Sequence, residues 1–311
     1  MSLGEPPLKV IYITGFGHNG STLLDTMLGN HPDVLSVGEI IHFPYGLIED
    51  MGQRCGCGRL AHECPVWHEV IQRWVDAIGL TNVETYKRLG YKFARRRSWN
   101  TILKGAASRN PDFNWFASCT AILYRLLAEI SGKSVIVDSS KPAPRGLAIA
   151  QIPGLDIRAI HLVRDVRGGA WSYLRRKSWA KNPLSRLGLS AAFCLRSALG
   201  WHLENWAADR LRAWLGPDRS VLIRYEDLIA EPVEAMQKIL ALCDLGLDAL
   251  PDSLWHSEIP NKGHIMWGND NRIQPTYRLK LDTAWKESLP ALDRALIMAV
   301  SRRRMHRYGY E

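Results

Sequence analysis

The chain has no apolar run close to the roughly 18 to 20 residues that a membrane-spanning helix requires. Its start, Met1 to Lys9, also lacks the apolar stretch of a secretory signal. These two absences predict a soluble, cytoplasmic protein. With 311 residues and 46% hydrophobic content, the chain is long enough to bury the core of one large α/β domain over residues 1–311.

Cysteine is scarce. Six cysteines in a chain of this length do not make a disulfide scaffold. Three of the six are Cys55, Cys57 and Cys64, with His62 and His68 nearby. Their C-x-C-x₆-C spacing lacks the paired C-x₂-C of the strong zinc signatures. The favoured interpretation is a loop with reduced thiols or one local disulfide, and we expect no metal.

Acidic residues are fewer than basic ones, 31 against 40, which gives a formal net charge of +9. This excess predicts an anionic partner, such as a nucleotide, an acidic substrate or a lipid surface that the protein contacts peripherally. Basic runs would also suit nucleic acid, but no nucleic-acid-binding module accompanies them. Nucleic acid is therefore not expected as a partner. The runs are Arg95–Arg97, Arg175–Lys177 and Arg302–Arg304.

Apolar strands alternate with helical patterns, which predicts an α/β fold with a doubly wound parallel sheet. Strands are predicted at 10–14, 134–137, 157–163 and 220–223, and helices at 21–28, 65–78, 81–97, 112–130 and 190–215. Residues from about 50 to 131 form a helical insertion between the first two predicted strands. Insertions of this kind usually shape a binding pocket.

The segment from Gly15 to Thr22 reads as a phosphate-binding loop that lacks its lysine, since Ser21 stands where the pattern G-x-x-x-x-G-K-[ST] has lysine. Its backbone N–H groups and hydroxyls still suit an anion, but the charge that a triphosphate tail requires is missing. The sequence therefore predicts a nucleotide with a short tail. The residues expected to contact it are Gly17, His18, Asn19, Gly20, Ser21 and Thr22.

A second anion site is predicted after the strand that ends at Val163. Arg164 emerges at the carboxyl edge of the sheet, where open α/β folds bind ligands. Ser172 follows two turns into the next helix, where its hydroxyl is able to point at the same anion. The guanidinium of arginine is a planar, permanently charged fork that suits a phosphate. A surface ion-pair cluster with Asp165 and Arg167 is the alternative interpretation.

Residues 9–45 and 134–176 resemble the sulfotransferases, especially the tyrosylprotein and carbohydrate branches. The resemblance rests on the loop with Leu23-Leu24, the turn His31-Pro32-x-Val34, the pair Gly38-Glu39, and Arg164 with Ser172. It implies a P-loop-like fold that binds 3′-phosphoadenosine 5′-phosphosulfate (PAPS) and needs no metal. The sulfuryl group would pass to a hydroxyl or amine of a carbohydrate, lipid, peptide or secondary metabolite. PAPS has no γ-phosphate, which explains the missing lysine.

The resemblance also implies catalytic roles. Glu39 corresponds to the base that takes the acceptor proton, with His42 as the second candidate. Lys141 resembles the lysine that contacts the transferring group. His18 stands where the family commonly has lysine or arginine at the departing oxygen, and because histidine is cationic only when protonated, turnover should fall at alkaline pH.

A late segment, His264-x₃-Gly268-Asn269-x₂-Arg272, resembles one found in many bacterial sulfotransferase-like chains. It implies a loop that closes over the nucleotide, with Arg272 and Lys262 as donor contacts. Two other functions remain open on the sequence. A small-molecule or nucleotide kinase would use the same strand, loop and helix, and a non-catalytic protein would keep the anion site without chemistry.

Overall fold

The computed structural model describes residues 6–43, 53–103, 110–176, 186–255 and 258–311. A five-stranded sheet forms the centre of the protein, with all strands parallel in the order β2-β3-β1-β4-β5. The strands are β1 Leu8–Thr14, β2 Val34–Gly38, β3 Val135–Lys141, β4 Leu155–Val163 and β5 Ser220–Arg224. A small antiparallel pair, β6 Glu258–Pro260 and β7 Thr276–Arg278, lies apart from this sheet.

Helices connect the strands of the large sheet. In the first half of the chain they are α1 Ser21–Leu28, α2 Trp67–Ile78, α3 Val83–Phe93, α4 Trp99–Leu103 and α5 Pro111–Ser131. In the second half they are α6 Ala143–Ile149, α7 Val166–Arg176, α8 Arg186–Leu215, α9 Tyr225–Ala230, α10 Pro232–Ala241, α11 Trp285–Ser288 and α12 Ala291–Arg307. Among the residues described, no helix is both long and apolar enough to cross a membrane.

Both faces of the sheet are covered, as the alternating side chains of β1 demonstrate. Val10 and Tyr12 pack into a cluster with the insertion helices α2 to α5 and the end of α8. Ile11 and Ile13 point the other way, into a cluster with α1 and α10. Side chains of a strand alternate between its two faces, so each face has its own core. The predicted doubly wound α/β fold is confirmed.

The strand β2 was missed by the sequence reading. Its five residues include Ser36 and Gly38, which weakened the apolar signal, yet all five are buried. Ser36 tolerates burial because its hydroxyl donates to the carboxylate of Asp25. The strand predicted as second is therefore β3, and the helical insertion lies between β2 and β3.

The three tryptophans of α8 differ in burial. Trp201 is only 2% exposed and belongs to a core with α12, whereas Trp206 is 40% exposed and Trp214 is 39% exposed. The exposed pair lies next to arginines, since Arg210 is 5.0 Å from the Trp206 ring and Arg219 is 5.8 Å from the Trp214 ring. Of the three, Trp201 is the one that packs into the core.

The strand order places a crevice at the carboxyl ends of β1 and β4. From β1 the chain moves to β2 and β3 on one side, and it then crosses to β4 and β5 on the other. Ligands of open α/β sheets bind where the direction reverses in this way. The loop after β1 and Arg164 after β4 both lie at this edge.

Candidate functional site

The loop between β1 and α1 is held in shape by glycines and by Asn19. Gly15 has φ +139°, and a Cβ there would lie 2.4 Å from the carbonyl oxygen of Leu162. Asn19 Nδ2 donates to that same carbonyl over 2.8 Å, and its Oδ1 accepts from the Ser21 N–H over 3.2 Å. The loop is thereby fastened to β4, and its curvature is set before any ligand binds.

Arg164 and Ser172, the residues of the second predicted anion site, both contact His18 of the loop. Arg164 Nη1 donates to the His18 carbonyl over 3.2 Å, and Ser172 Oγ lies 3.4 Å from His18 Nδ1. His18 has φ +62°, an uncommon value for a residue other than glycine. The imidazole also contacts the ring of Tyr173 edge to face, with centroids 5.0 Å apart. The two halves of the predicted anion site therefore form one cluster.

Two neighbours of Arg164 were not found from the sequence. Tyr225 places its ring 4.5 Å from the Arg164 guanidinium carbon and packs so closely on Gly20 that a Cβ there would lie 2.4 Å from the ring. Asp282 lies 3.5 Å from Arg164 Nη2. That Nη2 is buried and has no hydrogen-bond acceptor among the described residues. Neither Tyr225 nor Asp282 belongs to a motif that the sequence marked.

Glu39 and Lys141 form an ion pair at the same edge of the sheet. Lys141 Nζ donates to Glu39 Oε1 over 2.5 Å, and both side chains are largely buried, with 15% and 18% exposed. Burial would raise the pKa of Glu39, but the charge of Lys141 and the contact with His42 outweigh it and lower that pKa to about 2. In this state Glu39 is a carboxylate and a weak base.

Lys141 is held in an unusual backbone conformation at the end of β3. Its φ of +81° lies in the left-handed region. The hydroxyl of Thr14 donates to the Lys141 carbonyl over 2.7 Å, which ties the end of β3 to the end of β1. The strained turn aims the ammonium at Glu39, and such strain is commonly found at functional sites.

His42 is the second group beside Glu39. Its Nε2 lies 3.5 Å from Glu39 Oε2, and its Nδ1 lies 2.8 Å from the hydroxyl of Tyr91. Tyr91 belongs to α3, so the helical insertion reaches the edge of the sheet where Glu39 and Lys141 pair. The side chain of His42 is 39% exposed, which gives the pair a route to solvent or to an acceptor.

Buried serines support the site from below. Ser139 Oγ donates to Asp25 over 2.7 Å, which joins β3 to α1. Ser140 Oγ accepts from the Ile41 N–H over 2.9 Å, which fixes the short turn after Glu39. These contacts hold the end of β3 and the Glu39 segment in a constant relation.

The late segment predicted to close over the nucleotide lies beside β2. His264 N–H donates to Ser36 O over 2.9 Å, and Met266 N–H donates to Val37 O over 3.1 Å. Glu39 N–H donates in turn to Trp267 O over 3.1 Å. The segment thus extends the edge of the sheet and contacts the backbone of the predicted base.

Arg272 and Lys262 lie in different places from each other. The Arg272 side chain is buried, and its Nε donates to Met266 O over 2.9 Å, so it braces the late segment from within. Lys262 lines a cavity of about 730 Å³ beside Gly29 to Pro32. This cavity lies past the C-terminal end of α1, whereas the anion-binding loop precedes its N-terminal end. The structure does not bring Lys262 to the anion site, and a donor contact by Arg272 stays a prediction.

The sheet and its loop form a P-loop-like α/β fold, and comparison with known proteins indicates what the chain is similar to. Residues 155–249, which run from β4 into the segment after α10 and include Arg164 and Ser172, match the profile of the Sulfotransferase family. No curated protein sequence matches the chain. Over residues 155–249 the chain is similar to the sulfotransferases, and it is an enzyme that transfers a sulfuryl group.

Solved structures share the fold at low sequence identity. The sulfotransferase domain of the Synechococcus PCC 7002 olefin synthase is 18% identical, with a TM-score of 0.56 over 100% of this chain and 98% of that one. The sulfotransferase domain of the curacin biosynthetic pathway is 16% identical, with a TM-score of 0.54 over 99% of both chains. A sulfotransferase from Mycobacterium avium is 12% identical, with a TM-score of 0.53 over 99% of this chain and 78% of that one.

Proposed function

We propose that the enzyme uses PAPS as its sulfuryl donor and a hydroxyl or amine as its acceptor. The observation that carries this proposal is a pair of adjoining anion sites, a loop without lysine and a buried Arg164 beside it. Arg164 Nη2 faces Asp282 at 3.5 Å without a hydrogen bond, and it suits a 3′-phosphate because a buried guanidinium nitrogen gains most from an anionic acceptor. The loop suits a 5′-phosphate, held by backbone N–H groups and by the hydroxyls of Ser21 and Thr22.

In this proposal Lys141 changes partner when the donor binds. Its ammonium leaves Glu39 and contacts the oxygens of the sulfuryl group, where it offsets charge during transfer. Glu39 then loses the cation that lowers its pKa and becomes a better base. The ion pair between the two side chains supports this exchange, since an anionic donor would compete with the Glu39 carboxylate for the same ammonium.

The transfer then needs one group that accepts the proton of the acceptor and one cation that stabilises the departing oxygen. Glu39 takes the proton of the acceptor hydroxyl while the acceptor oxygen bonds to sulfur and the bond from sulfur to the bridging oxygen of the 5′-phosphate breaks. His18, in the protonated form, stabilises the charge on that departing oxygen. His42 lies close enough to Glu39 to pass the proton on to solvent. Positioning and charge stabilisation account for most of the catalysis in such a reaction.

We place the enzyme in the bacterial cytoplasm and its acceptor beside the helical insertion and α8. The described part of α8 exposes several apolar side chains at helical spacing, which favours an apolar acceptor or contact with a lipid surface. They are Leu195, Leu199, Leu203 and Trp206.

Calorimetric titration with 3′,5′-bisphosphoadenosine, beside ATP with magnesium, tests the donor. We expect tight binding of the bisphosphate, much weaker binding of ATP, and a loss of roughly tenfold or more in Arg164→Ala, since charge-assisted hydrogen bonds are the strong ones. Arg158→Ala is the control, because Arg158 lies on the same strand β4 but is paired with Asp156. Preference for ATP, or equal losses in both variants, would favour a kinase instead.

A further inference from the structure

Three cysteines and one histidine converge on one point outside the anion site. Cys55, Cys57 and Cys64 come from the loop before α2, and His264 comes from the late segment some two hundred residues away. One potential metal-binding atom from each of the four residues lies within 4.8 Å of the others. His62 and His68, the histidines nearest in sequence, are exposed and do not join them.

The spacing of these atoms fits a tetrahedral metal site. Cys55 Sγ and Cys64 Sγ are 3.6 Å apart, and His264 Nδ1 lies 3.7 Å from the first and 3.2 Å from the second. Four ligands at zinc bond lengths, about 2.3 Å to sulfur and 2.0 Å to nitrogen, would be separated by roughly 3.5 to 3.8 Å. Three of the ligand atoms therefore already lie at about the separations that one tetrahedral ion requires, and Cys57 Sγ lies within 4.8 Å of each of them.

We propose that Cys55, Cys57, Cys64 and His264 bind one Zn²⁺ ion in a closed, structural site. Three thiolates and an imidazole are a ligand set that zinc favours, and soft sulfur ligands exclude magnesium and calcium. All four positions are taken by protein, so the ion has no open position for chemistry. Cys57 is exposed while Cys55 and Cys64 are buried, which leaves a path for the ion to enter.

The backbone around the cluster is built to bring its two halves together. Gly56 N–H donates to Ile265 O over 2.8 Å, and a Cβ at Gly56 would lie 3.0 Å from the Gly263 carbonyl. Trp67 Nε1 donates to His264 O over 2.6 Å. These contacts form outside the four ligands, so the close approach does not depend on sulfur contacts alone.

The ion would fasten the late segment to the start of the insertion. The backbone N–H groups of His264 and Met266 donate hydrogen bonds to β2. The carbonyl of Trp267 accepts a hydrogen bond from the Glu39 N–H. The late segment loses conformational freedom when it is ordered on β2. A metal that cross-links it to a distant segment offsets that cost. The zinc site would thereby stabilise the segment that holds the backbone of Glu39, without touching the substrate.

Metal analysis tests the proposal without any assay of transfer. The protein is expressed in medium with added zinc, dialysed against a mild chelator, and analysed by plasma mass spectrometry. We expect about one zinc per chain in the wild type and at least about a tenfold lower metal affinity in Cys57→Ser and His264→Ala. Cys119→Ser and His62→Ala are matched controls, because neither residue belongs to the cluster, and both should keep the zinc.

Cobalt titration covers the case in which a variant fails to fold. The metal-free wild type, titrated with Co²⁺, should develop the visible bands of tetrahedral cobalt and a thiolate charge-transfer band, and zinc should displace both. The Met266 amide should also exchange with deuterium more slowly once metal is bound. Wild-type protein with no more zinc than Cys57→Ser, or a Cys55–Cys64 disulfide found by mass spectrometry in the native protein, would overturn the proposal.

Discussion

Asp282 Oδ2 lies 3.5 Å from Arg164 Nη2 and 3.3 Å from Arg175 Nη2, so one carboxylate faces both guanidinium groups. Arg164 is also the residue to which we assign the 3′-phosphate of the donor. The carboxylate would have to give up this arginine, or share it, when the phosphate binds. We therefore expect Asp282 to compete with the donor phosphate for Arg164.

Asp282→Asn should increase the affinity for 3′,5′-bisphosphoadenosine. Removing the competing charge leaves Arg164 free to pair with phosphate, and an ion pair of this kind accounts for about a two- to fivefold change. Calorimetric titration at low salt measures the effect. Asp244→Asn is the control, since Asp244 pairs with Lys9 near the start of β1, at the opposite edge of the sheet. Weaker binding in Asp282→Asn would mean that Asp282 orients Arg164 instead of competing with the phosphate.

Glu39→Gln should lower the transfer rate by about 10²- to 10⁴-fold, the usual contribution of a general base. The amide keeps the size of the carboxylate but takes no proton. Because Glu39 is assigned to the acceptor, the affinity for bisphosphoadenosine should change little. Steady-state rates with an acceptor identified by screening, together with donor titration, separate the two effects. If Glu39→Gln retained wild-type turnover, His42 would be the base instead, and His42→Gln would test that role.

Asp25→Asn should change how stability depends on pH. Burial raises the pKa of Asp25 from 3.8 to about 7, although the hydroxyls of Ser36 and Ser139 lower it. A raised pKa means that the folded state binds the proton more tightly, so this contribution to stability is complete below pH 3.8 and is lost as the pH rises through 7. The wild type should lose up to about 4 kcal/mol relative to the variant between pH 4 and pH 8.

Denaturant unfolding of both proteins at several pH values measures that difference, and any cost of the substitution that is independent of pH cancels. Ser139→Ala removes a hydrogen bond that favours the charged form. In that variant the loss of stability should therefore extend to higher pH. A wild-type-to-variant difference that is constant from pH 4 to pH 8 would contradict the raised pKa of Asp25.

Gly20→Ala should destabilise the protein and Gly17→Ala should not. Gly20 has φ +95°, and an added Cβ would lie 2.4 Å from the Tyr225 ring, whereas a Cβ at Gly17 meets nothing within 4 Å. The strained backbone costs about 1 to 3 kcal/mol, which corresponds to several degrees in the melting temperature. Thermal unfolding of the two variants measures this. Equal melting temperatures would mean that Tyr225 moves away from the loop at little cost.

Much of the fold was predictable from local pattern, because a buried strand and an amphipathic helix leave a periodic signal. Helix α1 was predicted with the bounds that the structure has, and β1, β4 and β5 were found within a few residues. The strand β2 was missed because the polar Ser36 interrupts its apolar pattern. The hydroxyl of Ser36 donates to Asp25 on α1, and that residue lies too far away in sequence for a local pattern to include it. The helix α12 was missed as well.

The chemistry that each segment offers can be read from the amino-acid sequence: a phosphate loop without lysine, an arginine at a strand end, a glutamate after a glycine. Those properties are local, since they depend on residue type and on the element that carries it. Which groups meet depends on how the whole chain packs. Parallel strands bring Glu39 to Lys141 across about a hundred residues, and a loop packed on β2 brings His264 to Cys55 and Cys64. The partners are fixed by the packing of the whole chain, whose long-range contacts leave no trace in local spacing.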